Sequence, residues 1–322
     1  MAHHKKIGIR GASPRRKKKH KKSRRNIDRQ GSIMSTKAEF MSPDTDVTKF
    51  RIAVIESLSD GESKTGTNLY EGELKPLTLK DESLTASLHV VNDITNFKRA
   101  IDEIADSLGG DELVTLHIEA HGAGENGIRL ASGDNLGWKD FMDECRKLND
   151  KISGLLVVTL SMCYSFPILG SIDPTQRAPF KAILLTNRDV TVDEVERGFT
   201  AFYNSYKNPL DVFKATGVIR DEVNKGDEKS SPFHLMVADH IFDLFTNPDR
   251  DPDGFAHIVN DNFCRLKAQY PEYTRERTEK EIRAMMNDLA KNGRDYFLFY
   301  DRVKGKELME LTEQNKRKNQ WV

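Results

Sequence analysis

The chain has 322 residues, 37% of them apolar, with 50 basic and 50 acidic side chains, which allows one or two packed domains and no net charge. The charge is unevenly placed: residues 1–30 hold thirteen Lys/Arg and one acid, Asp28, leaving 37 basic and 49 acidic side chains, net −12, for the remainder. Three scattered cysteines, Cys145, Cys163 and Cys264, argue against a disulfide framework, no apolar leader is visible, and the longest uncharged run, about 152–172, holds Ser161, Tyr164, Ser165, Pro167 and glycines, so a cytoplasmic protein with no membrane span is expected.

Residues 1–48 read as a basic disordered arm, because PRRKKKHKKSRR (14–25) buries nothing and repels itself. Residues 1–33 are then a candidate nucleic-acid-binding or targeting arm, a solvated tail, or sequence ahead of a working start at Met34 or Met41. From Phe50 the texture changes. RIAVIES (51–57) and SLHVV (87–91) read as strands, and the stripe from Phe97 to Leu108 reads as a helix ended by Gly109-Gly110. LVTLHIEA (113–120) is a third strand, Trp138–Asp150 a second amphipathic helix, and GLLVVTLS (154–161) and KAILLT (181–186) two more strands. Thr191-Val-Asp-Glu194 predicts a capping box opening a further helix. From Ser231 the chain reads as charged and helical, with a break at NPDRDPDG (247–254). The fold class is therefore α/β, a mostly parallel sheet flanked by helices over residues 49–230, with a helical extension over 231–322.

The third strand ends on His121 and drops into glycines. Gly122-x-Gly124-x-x-Gly127 has the form of a dinucleotide fingerprint, but no helix follows it. His117 and His121 flank a glutamate in the wrong slot for a zincin, and on a strand they stand about 13 Å apart, too far for one metal. No cofactor is expected. Cys163 lies just past the end of the next long strand. In parallel sheets sites gather at the carboxyl ends of strands, and strands joined by one crossover are commonly neighbours. Imidazole and thiol would then meet across a reacting carbonyl, Cys163 as nucleophile and His121 as general base and acid. The amides of Gly122 and Cys163 are candidate oxyanion donors.

This order, with EAHG (119–122) and LSMCYS (160–165), resembles the caspase-like cysteine peptidases, and residues 178–206 look most like their CHAT branch. The resemblance covers about residues 50–225. It implies a caspase-like fold, a Cys163–His121 dyad, a protein substrate cut through an acyl-enzyme, and a regulatory protein partner. For the CHAT branch it also implies a setting in bacterial defence or cell death. The caspase Q-A-C-x-G is absent, and Ser161 stands where metacaspases resemble D-x-C. The loop after the first strand (57–73) is implied to shape specificity, with Asp60 or Glu62 suited to a basic side chain and Lys64 to an acidic one. Two other readings stay open. One is an inactive caspase-like binding module with a nucleic-acid-binding arm. The other is a metal hydrolase using His234, Asp239 and His240, although their order is DH rather than HD. Asp249, Asp251 and Asp253 have the spacing of the start of a calcium loop, but Asn260 stands where a bidentate Glu is needed, so a helix cap is the plainer reading.

Overall fold

The structure is a computed structural model that describes residues 49–109, 112–206, 211–224 and 231–302. The expected basic arm, and with it the nucleic-acid reading of residues 1–33, lies outside the described residues.

Six strands form the main sheet in the order β2-β1-β3-β6-β7-β8. These are β1 (Lys49–Ser57), β2 (Leu84–Val90), β3 (Glu112–Gly122), β6 (Val157–Ser161), β7 (Ala182–Thr186) and β8 (Phe233–Val237). All neighbouring pairs are parallel except β7 with β8. The glycines after His121 lead through a short 3-10 turn into a small hairpin, β4 (Ile128–Arg129) and β5 (Asn135–Leu136), with no helix at the fingerprint.

The strands are buried on both faces, as parallel strands between helices must be. Alternation sends Ala53, Ile55, Leu116, Ile118, Val158 and Leu160 to one apolar cluster. That cluster is covered by α3 (Ile94–Asp106) and α4 (Trp138–Lys151), through Phe97, Ile101, Phe141 and Met142. Cys145 belongs to it and is buried, which accounts for that cysteine. Ile52, Val54, Leu113, Val157 and Leu184 face the other way, onto α5 (Val192–Ser205) and α6 (Val212–Asn224). The predicted capping box is present: Thr191 Oγ1 accepts from the Glu194 N–H, and the Glu194 carboxylate accepts from the Thr191 N–H. After β1 the chain runs through α1 (Thr65–Leu69), a π turn (Tyr70–Leu74) and α2 (Lys75–Thr78).

The helical reading from Ser231 is corrected at its start. Phe233–Val237 is a strand, because a run with Phe233 and Val237 buried suits the open edge of β7. Only then do α7 (Ala238–Thr246), α8 (Pro252–Gln269), α9 (Arg275–Asn292) and α10 (Arg294–Phe297) follow. The tail is tied to the sheet. Phe242, Phe297, Phe299 and Tyr300 join the cluster under α4. Buried Lys181, at the start of β7, donates to Asp239 (2.8 Å), which also pairs with Arg294. Burial alone would raise the Asp239 carboxyl, but Lys181, Arg294 and Tyr300 outweigh it and hold it below the ordinary range. Among the described residues no helix is long and apolar enough to cross a membrane.

Removing Asp239 strands the buried Lys181 ammonium. Asp239→Ala is expected to lower stability by about 3–5 kcal/mol in urea unfolding, and the double change Lys181→Met/Asp239→Leu to recover most of it.

Candidate functional site

The site begins as a polar stripe on an apolar sheet. On the face toward α5, β3 presents Thr115, His117, Glu119 and His121, and β6 presents Thr159 and Ser161. Glu119 stands opposite Glu56 of β1 on one side and Ser161 of β6 on the other. His117 is wholly buried, its ring edge-on to Phe199 and Tyr203 of α5. Its Nδ1 lies 2.7 Å from Thr159 Oγ1 and 3.1 Å from the Tyr203 hydroxyl, and its Nε2 is 3.1 Å from Glu119 Oε1. Thr65 Oγ1 donates to Glu119 Oε2 (2.8 Å), while the N–H and hydroxyl of Thr67 hold the two oxygens of Glu56. Gly66 lies between them because a Cβ there would stand 2.9 Å from Glu119 Cγ and 3.0 Å from Glu56 Oε1.

Parallel pairing of β3 with β6 carries His121 and Cys163 to the same sheet end. Both line one cavity of about 300 Å³, with Glu62, Glu119, Ser161 and the apolar side chains Leu58, Val190 and Val192. The glycine after His121 is required by the cysteine. A Cβ on Gly122 would stand 1.7 Å from the Cys163 carbonyl oxygen, so the two backbones touch at the strand tips. Tyr164 then adopts φ +46°, a conformation uncommon for a side-chain-bearing residue. The turn is held from β7: the Tyr164 N–H donates to the Arg188 carbonyl, the Ser165 N–H to that of Thr186, and the Thr186 hydroxyl to that of Met162. The Cys163 N–H makes no hydrogen bond among the described residues, unlike those of its two successors.

Imidazole and thiol share the cavity without a hydrogen bond to each other. His121 Nε2 is 2.7 Å from Glu62 Oε1, and that bond, with the Ser59 N–H, holds the Glu62 carboxyl below its ordinary range. With Nε2–H committed to Glu62, Nδ1 is the basic nitrogen left to handle a proton. The Cys163 sulfur lies between the N–H (3.4 Å) and carbonyl (3.8 Å) of Val190. Burial pushes the thiol up, opposed by the Val190 N–H and reinforced by Asp189 and Glu194. The Val190 clamp is rigid because Arg188 pairs with Glu194 inside the capping box.

The remaining sequence candidates scatter. Lys64 donates to the carbonyls of Leu58 and Ser59 rather than into the cavity, and Asp60 is exposed on the loop outside it. Asp251 caps α8 by accepting from the Gly254 N–H (3.0 Å), Asp249 lies 3.8 Å from Arg283, and Asp253 is an acid in the first turn of α8. His234 packs edge-on to Phe166, and Asp239 serves Lys181. Among the described residues no group of three His, Cys, Asp or Glu side chains is arranged to hold a metal. Sequence reasoning missed Glu119 as a cavity residue, and with it Thr65 and the Val190 clamp. The signal for Glu119 was present, since Thr115, His117 and Glu119 recur at every second position of an apolar strand.

Gly122→Ala is expected to force the strand tips apart and cost about 1–3 kcal/mol, read as a lower Tm. Alkylation of Cys163 by iodoacetamide, followed by peptide mass spectrometry, is expected to rise with pH around a midpoint above the ordinary thiol value of ~8.5. Asp189→Asn should move that midpoint down, because it removes a nearby negative charge.

No family model and no curated protein sequence matches the chain.

Proposed function

We propose that the protein is a caspase-like cysteine endopeptidase, with Cys163 as nucleophile and His121 as general base and acid. The observation that carries this reading is the meeting of His121 and Cys163 in one cavity at the ends of adjacent parallel strands, with Gly122 pressed on the Cys163 peptide. Cys163 Sγ attacks the scissile carbonyl carbon while its proton passes to His121 Nδ1. The oxyanion accepts from the free Cys163 N–H and from that of Gly122. The imidazolium then protonates the leaving amine, the C–N bond breaks, and a thioester remains on Cys163. His121 takes a proton from water, which hydrolyses the thioester and restores the thiol. Glu62 positions the imidazole by holding Nε2. Because burial keeps the thiol protonated at rest, reaction depends on His121 rather than on a standing thiolate.

The same reading carries a cytoplasmic setting, a protein substrate, and control by a protein partner. Bacterial defence or cell death follows from the CHAT resemblance alone. One observation favours the inactive binding module instead: thiol and imidazole are not joined. Catalytic hydrogen bonds often close only with substrate bound, so the peptidase reading stands first.

The test is labelling by a library of acyloxymethyl ketone peptides. Wild type is expected to label at Cys163, Cys163→Ala not at all, and His121→Ala at least about 100-fold more slowly. Glu62→Gln should fall between His121→Ala and wild type. Equal labelling of His121→Ala and wild type would leave Cys163 as merely an accessible thiol. Salt-dependent nucleic-acid binding that survives Cys163→Ala and vanishes on deleting residues 1–33 would favour the binding module.

A further inference from the structure

We propose that the cavity beside Cys163 is a subsite for a lysine or arginine side chain, selected by the Glu119 carboxylate and the Ser161 hydroxyl. The proposal rests on the peptidase reading and names the residue class accepted on the acyl side of the cut.

Two buried groups at the cavity wall are under-used. Glu119 is 3% exposed, and its two oxygens receive one hydrogen bond each, from Thr65 and from the His117 ring. A carboxylate accepts about four, so it keeps capacity facing the cavity. Ser161, paired with it across the sheet, is also 3% exposed, and its Oγ has no hydrogen-bond partner among the described residues. A buried hydroxyl left unpaired is unfavourable, and a donor arriving with a ligand would satisfy it.

The charges around the cavity agree in sign. Its lining holds Glu62 and Glu119 and no Lys or Arg, with His121 the one basic side chain, itself bound to Glu62. The adjoining cavity shares Thr65, Glu119 and Val195 and adds Glu73 and Glu196, again without Lys or Arg. Nearby Lys64 is turned onto loop carbonyls and Arg188 onto Glu194. An acidic side chain entering here meets the Glu62 and Glu119 carboxylates and no Lys or Arg.

Depth and wall chemistry narrow the ligand. Glu119 lies two residues before His121 on β3, about 6–7 Å deeper at ~3.3 Å per residue, and Ser161 is paired with it at the same level of β6. A side chain must carry its charge that far, past the apolar walls of Leu58, Val190, Val192 and Val195. Lysine and arginine do so, since their methylene stems suit apolar walls and their heads donate to carboxylate and hydroxyl together. The acid comes from the strand bearing the histidine. Ser161, on the cysteine strand, supplies only a hydroxyl.

Two measurements decide the matter. Acyloxymethyl ketones differing only in the residue next to the warhead (arginine, lysine, citrulline, norleucine, aspartate) would be compared by labelling rate at Cys163. The basic probes are expected to exceed citrulline and norleucine by about tenfold or more. Glu119→Gln should collapse that ratio to near unity, and Ser161→Ala, which keeps the carboxylate, should reduce it less. Calorimetric titration of Cys163→Ala with Nα-acetylarginine amide is the second measurement, with Nα-acetylcitrulline amide as the uncharged control. Binding of the arginine compound alone, lost in Cys163→Ala/Glu119→Gln, supports the subsite. Labelling that needs Cys163 and His121 but shows no basic preference, or favours aspartate, overturns the subsite and leaves the peptidase standing. No Cys163-dependent labelling by any probe overturns the peptidase. In that case selective binding of the arginine compound would keep the cavity as a cation site, and equal or absent binding would overturn it too.

Discussion

Everything at the candidate site depends on the register between β3 and β6. Side chains alternate along a strand, so a slip of one residue would turn Glu119 and His121 into the apolar cluster under α3 and α4 and bring Ile118 and Ala120 to the cavity. Two features fix the register. One is chemical: His117 bonds Thr159 across the pair, deep in the sheet, and a slipped pairing would break that bond and turn the imidazole into an apolar cluster. The other is steric: the Cys163 carbonyl rests where a Gly122 side chain would be, and no other residue type fits under it. The strand that delivers an imidazole to its tip drops into glycine because the neighbouring tip lies directly against it.

The polar stripe is an unusual use of buried space. Thr115, His117, Glu119, Thr159 and Ser161 sit on the two middle strands of the sheet, among mostly apolar buried neighbours. A half-satisfied polar network is worse than an apolar core. Here nearly every member is paired, through Tyr206 to Thr115, Tyr203 to Thr159 and His117, and Thr65 to Glu119. That explains the tyrosines at the end of α5 and just past it, Tyr203 and Tyr206, where the chain meets the sheet. Satisfaction fails at one place, Ser161 Oγ, and that place opens on the cavity.

Much of this was legible in the sequence. The β-branched runs, the stripes of α3 and α4 and the Thr191 capping box appear where the pattern puts them, because each is decided by contacts within a few residues. The adjacency of the His121 and Cys163 strands followed from a topological rule rather than from local pattern. Three features were out of reach. Phe233–Val237 reads as the start of a helical tail because its strand character comes from an open edge on β7, a partner about fifty residues upstream. The Glu62–His121 contact joins a loop and a strand tip 59 positions apart, and nothing in the loop distinguishes Glu62 from Asp60. Glu119 is visible in the sequence, but between two histidines it resembles a misplaced metalloprotease glutamate. Its period-two companions Thr115 and His117 were the better guide.

The resting arrangement has a physical logic of its own. His121 Nε2 is held by Glu62, and the Cys163 sulfur is held by Val190, so each group is positioned by its own loop rather than by the other. The two loops are anchored separately. The Glu62 carboxylate accepts from the Ser59 N–H, whereas residues 188–191 are fixed by the first turn of α5. A thiol raised by burial and by Asp189 is a poor nucleophile until something changes around it. On the proposed reading, a cationic side chain seated against Glu119 would place positive charge about two residues from the sulfur, favouring the thiolate at the moment the carbonyl arrives. Burial, Asp189 and Glu194 hold the thiol back, and on the proposed reading the substrate's own positive charge, seated against Glu119, works against them.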